Sequence, residues 1–185
     1  TVLFSAGMGD KIGYFYAMQG VVVLFMPALM GIVADRWIPA QKLLAGCHLL
    51  SALFKAGMAY VSFSAIRNPA EEYPTLLLLY ALSVAFFMPT LALCNSVSYS
   101  ALESVKLEPM KSFPPIRVFG TVGFICSMIA TDVLGFQASP NQFYLSAILG
   151  VIAAGYALTL PACPIAGKQK GKSLADALGL KAFTL

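Results

Sequence analysis

The sequence predicts an all-α polytopic membrane protein of about five spanning helices, on three observations. Of its 185 residues 59% are hydrophobic and only 11% are charged, against roughly 25% charged in a soluble globular domain. The apolar residues fall in long blocks rather than in alternation, and several blocks reach the ~20 residues that cross a hydrocarbon layer of ~30 Å. Lys and Arg then gather in alternate connections between the blocks, as they do when a chain threads a bilayer.

Each span follows from its block and its boundaries. The first covers Ile12 to Ala34 with Pro27 inside it, which a spanning helix tolerates because neighbouring groups satisfy the freed carbonyl. After the loop DRWIPAQ, a second runs from Lys42 to Ser64 and ends at RNPAEEYP. A third runs from Thr75 to Ala101 with Pro89 inside it, followed by the polar segment LESVKLEPMKSFP. The fourth is expected to start at Pro115, since proline suits a first helical turn, and to end near Phe136. QASPNQ leads to a fifth, Phe143 to Leu160, which Pro161 and Pro164 stop. Residues 1–164 thus form the helical bundle. Residues 165–185 are expected to be a cytoplasmic connection with a short amphipathic helix, capped by Ser173 and carrying Leu174, Ala177 and Leu178 at helical spacing.

Orientation comes from the same connections. One set holds Arg36, Lys42, Lys106, Lys111, Lys168, Lys170 and Lys172, and the other only Lys11 and Arg67. Seven against two places the first set in the cytoplasm and the N-terminus outside. The chain opens at Thr1 without an initiator Met or a basic n-region, and reads as part of a longer sequence with a helix upstream. Beside spanning helices the Lys cluster at 168–172 reads as a cytoplasmic loop, and nucleic acid is not expected as a partner. Cys47, Cys94, Cys126, Cys163 and the single His48 make no metal-ligand spacing, so the cysteines read as small packing residues and no metal or redox cofactor is expected.

Polar residues inside the spans mark candidate sites. Arg117, Thr121 and Phe124 are spaced i, i+4 and i+7 and share one helix face. An ionisable residue in a span is a functional candidate by default, although an Arg near a helix end can also snorkel to the headgroups. Asn95, Ser96, Ser98 and Tyr99 gather toward the cytoplasmic end of the third span. Asn95 and Gln19 each suit either a cavity wall or a bond to another helix, such bonds averaging about 0.6 kcal/mol. His48, Ser51 and Lys55 form a polar stripe on the second span. A bilayer-centred Lys costs ~2.5–3.5 kcal/mol on insertion scales. Asp132, of similar depth and the one acid well inside an apolar block, is its expected ion-pair partner; proton coupling through either residue is the alternative.

Three segments carry a resemblance. GIVADRW places Gly31, Asp35 and Arg36 as in the loop between helices two and three of major facilitator transporters, where the Gly permits close helix approach and the Asp faces a helix N-terminus. The motif's later Gly and basic positions are instead Ile38, Pro39 and Ala40. With FMPALMGIVADRW, FMPTLALCNSVSY and FPPIRVFGTVGFI, the chain resembles the nucleoside:proton symporter family over most of its length. That resemblance implies the N-terminal helical bundle of a major facilitator fold, helices two to six of twelve. The first helix and the C-terminal half would be the missing partners. It also implies nucleoside import across the bacterial inner membrane, with the proton as coupling ion and no other cofactor. Arg117, Thr121 and Phe124 would contact the nucleoside, with hydrogen bonds from the first two and base stacking on the third. Two other readings stand beside it. One is a major facilitator transporter of a sugar or organic anion, with Arg117 on a carboxylate. The other is an intramembrane enzyme, for which the spans offer no nucleophile–base pair, metal cluster or paired carboxylates.

Overall fold

The computed structural model describes residues 2–5 and 7–163; the expected amphipathic helix after Ser173 lies outside them. A short helix α1 (Val2–Ser5) and a 3₁₀ turn (Gly9–Lys11) precede five long helices: α2 (Ile12–Arg36), α3 (Ala40–Ala65), α4 (Pro69–Ser104), α5 (Pro109–Val133) and α6 (Asn141–Thr159). All five are long and apolar enough to cross a membrane. Five helices thus cover the stretches expected to span, with ends up to six residues from the expected ones.

Two ends differ for physical reasons. The fourth span begins at Pro109 rather than Pro115, so Pro114 and Pro115 lie inside the helix. Pro109 fills the first turn, and Lys111 and Ser112 donate backbone hydrogen bonds to the Glu108 carbonyl. The same helix stops at Val133 rather than Phe136, because Gly135 takes a left-handed φ of +69°. Its turn is closed by Phe136 N–H on the Thr131 carbonyl and Gly135 N–H on the Asp132 carbonyl, the pattern that ends many helices. α4 ends in the same way at Lys106, a non-glycine residue at φ +59°, with Leu107 N–H reaching the Leu102 carbonyl.

α3 packs along its length against α4 on one side and α6 on the other, and α2 covers a further face of α4. Small residues permit the closest approach: a Cβ on Gly150 of α6 would stand 3.1 Å from the Ala52 Cβ of α3. One apolar cluster joins Ala34, Leu44, Cys47, Leu93, Ala154 and Cys163. It lies at the end holding the α2–α3 and α4–α5 connections, where Gln41 Oε1 accepts the Cys163 backbone N–H at 3.0 Å. A second cluster, of Met8, Phe15, Ala65 and Leu76, closes the opposite end. The alternation of connections read from the charges is thus the alternation of the fold. Cys47 and Cys163 are buried as packing residues, whereas Cys94 and Cys126 are exposed.

Candidate functional site in the crevice between α4 and α5

α5 stands apart from the other helices. It touches α4 only sparingly, and Phe113 is its one buried residue. The contact is made by the Phe113 and Tyr99 rings, whose centroids are 4.6 Å apart. The neighbouring helix turns follow from this anchor. Asn95 stands one turn from Tyr99 and Arg117 one turn from Phe113, on the same faces. Because α4 and α5 run antiparallel, both steps lead away from the ring contact in the same direction, which brings Asn95 and Arg117 to one level of the crevice. Thr121 and Phe124 continue the α5 face about 6 and 10 Å further on, at 1.5 Å per residue.

Arg117, Thr121, Phe124 and Asn95 are all exposed, Phe124 at 64%. Among the described residues the only ion pair is Lys111–Glu108, so the Arg117 guanidinium keeps its full set of donors for a solute. It also lies deeper than a helix start at Pro115 implies. Counted from Pro109 it is in the third turn, about 12 Å into α5, where a headgroup is further to reach. Donors, a hydroxyl and an aromatic ring along one exposed side of α5 are what a polar solute with a planar ring needs. Ser98, by contrast, is turned back on its own helix, its Oγ donating to the Cys94 carbonyl at 2.8 Å.

Gln19 belongs to a different contact. Its Oε1 accepts a 2.7 Å hydrogen bond from the Tyr80 hydroxyl, tying α2 to α4 at a point 15 residues, or about 22 Å, along α4 from Asn95. Phe15 sits edge-on to Tyr80 and Tyr73, at 5.2 and 6.1 Å, and Lys11 Nζ lies 4.4 Å from the Tyr73 ring centroid. Nothing in the spacing of Gln19 selects Tyr80, sixty-one positions away; only the α2–α4 packing does. Tyr80→Phe is expected to cost about 0.6 kcal/mol, the usual size of such an interhelical bond, measured by denaturant titration in mixed micelles.

The Lys55–Asp132 pair expected from the sequence does not form. Lys55 Nζ instead lies over the Phe87 ring, 4.2 Å from its centroid, and Asp132 accepts a hydrogen bond from Gln137. Lys55 lies in the middle of α3 whereas Asp132 is the next-to-last residue of α5, and the two helices do not pack together, α3 being flanked by α4 and α6. Ser51 of the same stripe donates to the Ser83 carbonyl of α4 at 3.1 Å. In the GIVADRW segment Asp35 and Arg36 are exposed at the end of α2, and Asp35 caps none of the five long helices, whose N-cap residues make no side-chain cap bond; the Asn141 N–H at the start of α6 is met by Ser139 Oγ at 3.3 Å. A Cβ on Gly31 would meet open space, so the close approach expected of it is not made among the described residues.

With this geometry in hand, the family model described as "Nucleoside H+ symporter" matches residues 1–185. The chain belongs to that family. Xanthosine permease of Escherichia coli (strain K12) is 41% identical over 177 residues, covering 96% of this chain and 40% of the permease. Nucleoside permease NupG of the same strain is 39% identical over the same span and shares. The crystal structure of nucleoside transporter NupG superposes with a TM-score of 0.79 at 36% identity, covering 98% of this chain and 43% of that one. A point variant of that transporter gives 0.80 at 35% identity, with 98% and 45% covered. The all-α membrane bundle is accordingly of the major facilitator type, and the symporter family is one of transporters, which removes the intramembrane enzyme from consideration. The chain spans about 40% of the length of the curated relatives it matches.

Proposed function

We propose that the full-length protein imports nucleosides together with protons across a bacterial inner membrane, and that these residues supply spanning helices two to six. The observation that carries this reading is the line Arg117, Thr121 and Phe124 along an open face of α5, with Asn95 level with Arg117 on α4, in a chain of a proton-symporter family. Arg117 donates to ribose hydroxyls or a base carbonyl, Thr121 hydrogen-bonds either, and Phe124 stacks on the base. Gln19, engaged by Tyr80, shapes the bundle from outside this crevice.

Transport follows the alternating-access scheme, in which two helical halves rock about a site near the bilayer midplane. This chain forms one wall of that site, and the remainder of the protein forms the other together with the residue that couples to protons. The connections bearing Arg36, Lys42, Lys106 and Lys111 face the cytoplasm, as does the segment from residue 165. Gly31, Asp35 and Arg36, unengaged within the described residues, meet the second half there.

The test is uptake of radiolabelled uridine by cells or proteoliposomes holding the full-length protein under an inward proton gradient. Uptake that a protonophore abolishes and that excess nucleosides, but not sugars or organic anions, suppress is the expected result. Suppression by a sugar or organic anion instead, with nucleosides inert, assigns the crevice to that other solute class.

A further inference from the structure

Lys55 carries more than a polar stripe. It lies 15 residues from Ala40 and ten from Ala65, about 22 and 15 Å from the two ends of α3, too deep for a headgroup to serve it. Its ammonium is covered on one side by the Phe87 ring. Among the described residues no carboxylate is paired with it: the one ion pair is Lys111–Glu108, and Asp132 is taken by Gln137. An intramembrane cation of this kind is paired or faces a functional partner.

The surroundings point in one direction. Met58 and Ser62 follow Lys55 at i+3 and i+7 on α3, and Tyr80 precedes Phe87 by seven residues on α4, so all share one inner stripe. Higher along it, Met58, Ser62, Leu76 and Tyr80, with Phe15 of α2 and Phe143 of α6, line a cavity of about 220 Å³. Ser62 is 1% exposed and its Oγ has no hydrogen-bond partner among the described residues. A buried polar atom left in that state is unusual in a folded protein. α2 and α3 barely touch, which leaves a concave face between them with α4 as its floor. A lipid chain would fill it without serving either polar group.

We propose that Lys55 forms an intramembrane ion pair with a carboxylate on a further spanning helix of the same protein, one outside these 185 residues, which packs on this concave face. The relatives have sequence well beyond the matched part, 40% of their length being covered, in which such a helix would lie. The proposal is independent of the solute carried.

The test uses the full-length protein in detergent, read by its thermal midpoint. Removing one member of a buried pair strands the other. Lys55→Leu should therefore lower the midpoint by about 5 °C or more, and Lys55→Arg should hold it. Among neutral substitutions of the Asp and Glu residues in the other spans, one should lower the midpoint alone and restore it when combined with Lys55→Leu. A solitary Lys55 behaves oppositely: replacing it with Leu removes an isolated charge, so the midpoint stays or rises, and that result overturns the proposal. So does a loss that no neutral substitution recovers. If Lys55→Leu does not accumulate, Tyr16→Cys, at an exposed position lining the same cavity, is introduced after replacement of Cys47, Cys94, Cys126 and Cys163. Cross-linking to a cysteine on a helix outside residues 1–185 supports the proposal, and failure with every such helix overturns it.

Discussion

Arg117→Ala in the full-length protein is expected to cut nucleoside uptake about ten- to a hundredfold while leaving its thermal midpoint unchanged. The size follows from hydrogen bonds to a charged group, worth about 1.5–3 kcal/mol, converted at 1.4 kcal/mol per tenfold. The unchanged midpoint follows from the structure: Arg117 is exposed, and the one ion pair among the described residues does not involve it, so its truncation leaves no buried group stranded. Lys in its place should recover little, because it lacks the planar fork that engages two acceptors at once. Initial uptake rates together with detergent melting curves check both halves. Uptake at the full rate after Arg117→Ala would remove Arg117, and with it the α5 face, from the substrate site.

Gly150→Leu should produce the largest loss of stability of any single change at the α3–α6 contact. A Cβ alone at this position would stand 3.1 Å from the Ala52 Cβ and 3.5 Å from the His48 carbonyl, so three further carbons cannot be seated without moving one helix. Overpacking of this kind costs roughly 1–3 kcal/mol. Gly120→Ala is the control. Its Cβ would meet nothing within 4 Å, and removing a glycine from a helix stabilises by about 0.4–1 kcal/mol where the new side chain fits. Opposite shifts of the two thermal midpoints are the expected pattern, and equal shifts would deny that α3 and α6 meet at Gly150.

The spans were legible because a bilayer demands length and apolarity, and both are written along the chain. Their ends were less so. α4 begins at Pro69, six residues before Thr75, because Glu71 and Glu72 in its first turn favour the helix N-terminus. Those residues are polar, and hydropathy marks the edge of the lipid rather than the end of the helix. Three prolines between 108 and 116 would not be separable by composition either: FPPIR offered a first-turn proline, but Pro109 holds that place. Within one helix, periodicity put Arg117, Thr121 and Phe124 on a common face correctly. Between helices it had no hold. An expected similar depth predicted Asp132 for Lys55, whereas α5 ends one residue after Asp132 and the packing of α3 on α4 aims Lys55 at Phe87. Gln19 and Tyr80 meet for the same reason. The solute class came from neither source of order but from the likeness of FPPIRVFGTVGFI and FMPTLALCNSVSY to a family, with the side-chain chemistry compatible.

Pro114 and Pro115 have a mechanical consequence. Neither donates a backbone hydrogen bond, so the Met110 and Lys111 carbonyls lose their usual helical partners, and α5 is at its most pliable just beyond the Tyr99–Phe113 anchor. Everything past the proline pair is a lever arm with little packed against it. Nine residues separate Pro115 from Phe124, an arm of about 13 Å. A swing of about 10° at the pair carries the Phe124 end of the groove through about 2 Å on that arm, while Phe113, on the fixed side, stays where it is. The side chains proposed to face the solute are thus mounted beyond a proline pair that leaves two carbonyls of α5 without their helical partners.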